Sequence, residues 1–198
     1  MTQLFIGLTF WPDNGLGRKV QQFRARFDTK FIASPELYMP LIHPFEIPEE
    51  NLDSLIQELR EETASFFVDT DEGYSIQFTG LDCITHQKKH RVYLHSLEHP
   101  DLSYCRESLL SLCNSYVVDR ECKSKDDPAF LTIGRFDDPF SLENALSIGM
   151  QEFSEVGDLL ISGVHLFTRT QHHWVKMSDL ILFHPKDYLR ASHPMEET

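Results

Sequence analysis

Histidine is the side chain best suited to moving protons near neutral pH, and this chain carries ten of them. His43 sits in an apolar stretch broken by prolines, Tyr38-Met39-Pro40-Leu41-Ile42-His43-Pro44-Phe45. Regular strand alternation turns it to the face opposite Tyr38, unless a bulge near the prolines reverses the phase. His172 and His173 are neighbours and would face opposite sides of a strand, a poor arrangement for holding one metal ion. His86 and His90 flank Lys88 and Lys89; the cluster could touch an anion, but an exposed turn explains it as well. Arg135 carries a guanidinium suited to oxyanions, and nearby Thr132 carries a hydroxyl. Alternation puts the two out of phase, and each also reads as an ordinary strand residue, one exposed and one β-favouring. Tyr38 and Phe130 are aromatic faces able to stack on a base or simply to pack. Walker, GxGxxG and HExxH patterns are absent. Cys83, Cys105, Cys113 and Cys122 form no CxxC pair and read as small buried hydrophobes or inert thiols. No cofactor or metal is called for.

The elements that must position these groups follow from periodicity. Leu4 to Phe10 is a strand, and Leu16, Val20, Phe23 and Phe27 recur at helical spacing. Tyr38 to Phe45 is a second strand, pushed toward an edge by Pro40 and Pro44. A helix follows Pro48, with Leu52, Leu55, Ile56 and Leu59 on its buried side. Tyr74 to Thr85 and the strand beginning at Val92 form a hairpin. A third helix runs through Leu102, Leu109 and Tyr116. Phe130 to Phe136 is a strand, and Ser141 is positioned to cap a fourth helix. Leu159 to Thr168 and Trp174 to Phe183 close the chain as a hairpin, with a polar tail beyond. Strand–helix–strand occurs twice, from Leu4 to Phe45 and from Val92 to Phe136. Such a duplication predicts an α+β fold of two pseudo-symmetric lobes, each an antiparallel sheet with flanking helices, around a central cleft. The segments at Tyr38 and Phe130 then face each other across it.

Leu4-Phe5-Ile6-Gly7-Leu8, Pro44-Phe45 and Pro128-Ala129-Phe130-Leu131-Thr132-Ile133-Gly134-Arg135-Phe136 together resemble the LigT-like, two-histidine phosphoesterases, also called 2′-5′ RNA ligases or RNA 2′,3′-cyclic phosphodiesterases. The element order is similar over nearly the whole chain. The resemblance implies one LigT-like domain over residues 1–184, with residues 185–198 as a polar tail. It also implies a metal-free site in which two His-x-Thr/Ser motifs on facing strands hold one phosphate, one histidine acting as base and the other as acid. Here Tyr38 and Pro40 stand at the first motif, and Phe130 and Thr132 at the second. Only Thr132 keeps the family's residue type. Phe130 cannot move a proton, and a phenol ordinarily keeps its proton until about pH 10. Efficient catalysis is therefore not expected, and Tyr38, His43, Phe130, Thr132 and Arg135 are the candidate binding residues.

Bulk properties narrow the partners. A formal charge of −13 argues against coating DNA or RNA non-specifically, though it leaves room for a local phosphate site. No apolar run reaches the length needed to span a bilayer, and the opening residues lack a basic leader region, so the cytoplasm is the expected compartment. Three functions compete. The first is a degenerate family member binding a nucleotide, RNA end or other phosphate-bearing ligand. The second is an active cyclic phosphodiesterase using displaced groups such as Tyr38 and His43, and the third is a scaffold for a protein partner of unknown identity. An open cleft lined by Thr132 and Arg135 favours the first, and a cleft plugged by Tyr38 and Phe130 favours the third.

Overall fold

Leu4, Ile6, Leu8 and Phe10 alternate along β1 (Thr2–Phe10) and are fully or almost fully buried, which sets that strand's core face. In the computed structural model the described residues are 1–12, 15–32, 36–67, 73–97, 100–117, 130–171 and 173–183. After β1 come α1 (Gly15–Phe27), β2 (Tyr38–Ile47), a 3-10 turn (Glu49–Asn51) and α2 (Leu52–Phe66). The hairpin of β3 (Ser75–His86) and β4 (Lys89–Ser96) follows, then α3 (Pro100–Tyr116), β5 (Phe130–Phe136) and α4 (Pro139–Glu152). The last hairpin is β6 (Asp158–Arg169) and β7 (Trp174–Leu182). Every ladder is antiparallel. The order is β2-β1-β6-β3-β4-β5, with β7 also paired to β6. This is the expected α+β architecture of antiparallel sheet with flanking helices.

The path bends where β3 meets β6 through only Ser75–Gln77 and Asp158–Leu160. On one side β1, β2, β6 and β7 form a four-stranded group, and on the other β3, β4 and β5 form a three-stranded one. Each group contains one strand–helix–strand repeat, with its two strands adjacent. The bend brings β2 and β5 against each other. The helices cross over: α1 packs on β5 and α4, and α3 packs on β2 and α2. Phe23 of α1 is fully buried and meets the ring of Phe153 edge-on at 5.4 Å, a burial that contributes about 1.5–3 kcal/mol.

One local expectation changes, and the described cysteines stand as expected. Asp138, not Ser141, caps α4: its carboxylate accepts from the Ser141 backbone N–H at 2.8 Å, with Pro139 following at the helix start. That hydrogen bond holds the Asp138 carboxyl below the usual range. Cys105 and Cys113 are buried and Cys83 is half-buried. Burial pushes Cys105 up to about 12, which leaves it inert. Cys122, Pro128, Ala129, His172 and the tail from His184 lie outside the described residues. Among the described residues no helix is long and apolar enough to cross a membrane.

One buried histidine ties three strands together. His165 of β6 is 1% exposed; its Nε2 lies 2.7 Å from Thr9 Oγ1 of β1 and its Nδ1 lies 2.8 Å from Asp179 Oδ1 of β7. Burial lowers its pKa below the ordinary 6.5, helped by Lys176 and opposed by Asp179 and Glu36. The folded protein therefore resists a proton that the unfolded chain accepts. The contribution is full above about pH 6.5 and is lost as pH falls toward the lowered folded value. Urea denaturation from about pH 7 to about pH 5 is expected to show stability falling, with a shallower fall in His165→Gln. Equal slopes in the two proteins would contradict this assignment.

Candidate functional site

In β2 the order of partly exposed and buried residues is Tyr38 out, Met39 in, Pro40 out, Leu41 and Ile42 both in, His43 out. In β5 it is Phe130 out, Leu131 in, Thr132 out, Ile133 and Gly134 both in, Arg135 out. The doubled buried residues mark β-bulges. The β1–β2 register shifts between Leu4 and Gly7, opposite Leu41 to Phe45, and the β4–β5 register shifts between Val92 and Tyr93, opposite Ile133 and Gly134. At Gly134 an added Cβ would meet the Phe136 ring at 2.8 Å, so the bulge position itself favours glycine. The phase change overturns both expectations from regular alternation. His43 shares a face with Tyr38 and Pro40, and Arg135 shares a face with Phe130 and Thr132.

All five candidate residues, Tyr38, His43, Phe130, Thr132 and Arg135, line one open cavity of about 530 Å³ between the two strand groups. Its aromatic wall is built on β1 and β7. Phe5 stacks on Phe167 with centroids 4.5 Å apart and receives the edge of Trp174 at 4.8 Å. Tyr38 leans on both Phe5 and Phe167 at 5.3 Å, and across the cavity Phe130 packs on Tyr93 at 4.9 Å. The opposite wall is cationic, with Arg135 joined by Arg91 of β4 and Lys30 of the segment after α1, while His173 adds an imidazole. No described residue lining the cavity is acidic. Asp138 is spent on its helix cap, so this neighbour of the motif does not repel an anion from inside the cavity.

Arg135 is positioned from behind. Its Nη1 donates to Asp28 Oδ2 at 3.1 Å, and the Asp28 side chain is fully buried. The same carboxylate lies 3.7 Å from Arg24 Nε and accepts from the Lys30 backbone N–H at 3.0 Å. Arg24 is 2% exposed and also donates to the Glu36 carbonyl at 3.1 Å. Burial lowers its pKa from the usual arginine value, and Asp28 opposes that shift. Thr29 closes the loop, its N–H and hydroxyl both donating to the Arg135 carbonyl. One buried carboxylate thus fixes Arg135 and the turn that presents Lys30.

Sequence reasoning missed Phe5, Lys30, Arg91 and Trp174, and weighed His173 only as a metal ligand. Phe5 was legible, since it lies on the face of β1 opposite Leu4 and Ile6. Arg91 pairs directly with Arg135 in the β4–β5 register, which becomes visible only once that register is known. Lys30 carries no local signal. The parallel between the two strands was available: His43 stands to Arg135 as Tyr38 stands to Phe130 and Pro40 to Thr132. No group of three or more His, Cys, Asp or Glu side chains among the described residues forms a metal site.

Comparison with known proteins bears on the fold and the family. The chain is similar in fold to Usb1 of Kluyveromyces marxianus, with a TM-score of 0.54 at 9% sequence identity, over 88% of this chain and 96% of that one. No curated protein matches the sequence. The family model described as the 2′-5′ RNA ligase superfamily matches residues 11–173, and the chain belongs to that superfamily.

Proposed function

We propose that this chain binds a nucleotide or RNA end by its phosphate in the cleft between β2 and β5, and that the efficient two-histidine chemistry of the LigT-like phosphoesterases is absent. The lining carries the reading. Thr132, Arg135, Arg91 and Lys30 provide a hydroxyl and three cationic groups on one side, aromatic faces stand on the other, and about 530 Å³ remains open between them. A cationic pocket in a strongly acidic molecule concentrates anions locally while the surface as a whole repels them. The side chains at the two histidine positions, Tyr38 and Phe130, line the cavity without filling it, which favours a ligand over a pure scaffold role. Calorimetric titration with uridine 2′,3′-cyclic monophosphate tests the proposal. Saturable binding that weakens with added salt is expected. Arg135→Met and Arg91→Met should each weaken it about 10–100-fold, the loss of a hydrogen bond to a charged group being worth about 1.5–3 kcal/mol. No saturable binding at low salt would remove the proposal.

A second reading rests on the β2 bulge. It brings His43 to the same wall as Tyr38, so one imidazole and one phenol face the space where a phosphate would sit. Slow hydrolysis using His43 as the proton carrier follows from that arrangement. Turnover of the cyclic phosphate by the natural protein, lost in His43→Ala, would establish this reading over binding alone.

A further inference from the structure

Phe5 and Thr9 share one face of β1, but Thr9 lies at the far end, away from the cleft's Phe5. There the buried His165 is linked to more than it needs. Its two ring nitrogens are satisfied by Thr9 and Asp179. Thr9 Oγ1 also lies 2.6 Å from Ser162 Oγ. Thr9 is 2% exposed, whereas Ser162 is half-buried and opens on a second cavity of about 340 Å³. Gly163 leaves the room for this arrangement: a Cβ there would sit 2.8 Å from His165 Nε2. The direction of the chain is set by Asp179, which as a carboxylate can only accept. The His165 Nδ1–H therefore donates to Asp179, the Thr9 hydroxyl donates to Nε2, and the Ser162 hydroxyl donates to Thr9. Trp11 and Leu37 provide apolar wall in this cavity, and Lys176 and Glu36, paired at 2.8 Å, line it together as an ion pair.

We infer that Ser162 is a nucleophile activated through Thr9 by the His165–Asp179 pair, in a second site that takes small carboxylic esters. Ser162 Oγ bonds to the ester carbonyl carbon. Its proton passes to the Thr9 oxygen as the Thr9 proton passes to His165 Nε2. The carbon–oxygen bond to the leaving alkoxide then breaks, and the proton returns from Nε2 through Thr9 to that alkoxide. Water then bonds the acyl carbon as its proton passes through Thr9 to Nε2, and that proton returns through Thr9 to Ser162 Oγ as the acyl–oxygen bond breaks, releasing the acid. Asp179 keeps the imidazole in the required tautomer.

The full chain is tested with p-nitrophenyl acetate, following nitrophenol release and mapping the acetyl group by peptide mass spectrometry. A burst with acetyl on Ser162 is expected, abolished in Ser162→Ala. Acetylation of Ser162 should slow about 10²-fold or more in Thr9→Val and in Asp179→Asn. The second of these changes a half-exposed side chain and is readily accommodated. Absence of acetyl on Ser162, or acetylation at an unchanged rate in both variants, overturns the inference.

Discussion

The double substitution Tyr38→His/Phe130→His is expected to hydrolyse RNA ending in a 2′,3′-cyclic phosphate about 10²–10⁴-fold faster than the natural protein, the range that positioned acid–base groups contribute. Both positions already line the cavity, and both precede a doubled buried pair in the same place. Imidazoles there would project into one volume from two facing strands. Thr132, Arg91 and Arg135 line the same cavity. Each single substitution supplies only half of the base–acid pair and should gain little. The resemblance puts Pro40 at the hydroxyl position of the first motif, so adding Pro40→Thr should raise the rate further. Phe130 loses its packing on Tyr93, and Tyr38 its packing on Phe5 and Phe167. Thermal melts must therefore accompany the assay. A well-folded double variant with no gain would mean that the two strands are not the motif strands of the superfamily.

Asp28→Ala should destabilise the protein by about 3–5 kcal/mol, the usual result of removing one partner from a buried ion pair. Asp28 answers Arg24, Arg135 and the Lys30 N–H at once. Without it the buried Arg24 guanidinium keeps the Glu36 carbonyl but loses the carboxylate beside it. Against a typical stability of about 5–15 kcal/mol this is a large fraction. Replacing the pair together, as Arg24→Met/Asp28→Leu, should recover much of the loss, because neither charge is then left alone. Urea denaturation of the three proteins checks both statements. The double variant should still bind cyclic nucleotide more weakly than the natural protein, since Arg135 and the Lys30 turn lose their anchor. Recovery of stability with unchanged affinity would show that Asp28 does not position the cationic wall.

Much of the fold was legible because its elements are locally periodic. Tyr38 to Phe45 and Phe130 to Phe136 read as strands, and the repeated strand–helix–strand order led to facing lobes. The proline-rich β2 took the sheet edge, as a strand with missing N–H donors must. A bulge near the β2 prolines was only allowed for, and the β5 bulge was not legible. A strand's pattern does not show where an extra residue is inserted, because the partner's register decides that, and the phases of His43 and Arg135 depend on it. The cap of α4 was misplaced because Ser141 and Asp138 are both good caps, and the geometry of Pro139 selects the earlier one. Lys30, Arg91 and the Asp28 anchor come from tertiary contact. In particular α1 packs on the strand group opposite its own, and that crossover brings Asp28 to Arg135.

The most direct test of the central claim is an NMR titration of the isotope-labelled protein with uridine 2′,3′-cyclic monophosphate, following the phosphorus signal of the ligand in the same tube. Saturable shifts at Lys30, Arg91, Thr132 and Arg135, with the cyclic phosphate intact over hours, are the predicted result. A ligand that leaves those residues unshifted, or one rapidly opened to the monoester, would contradict it.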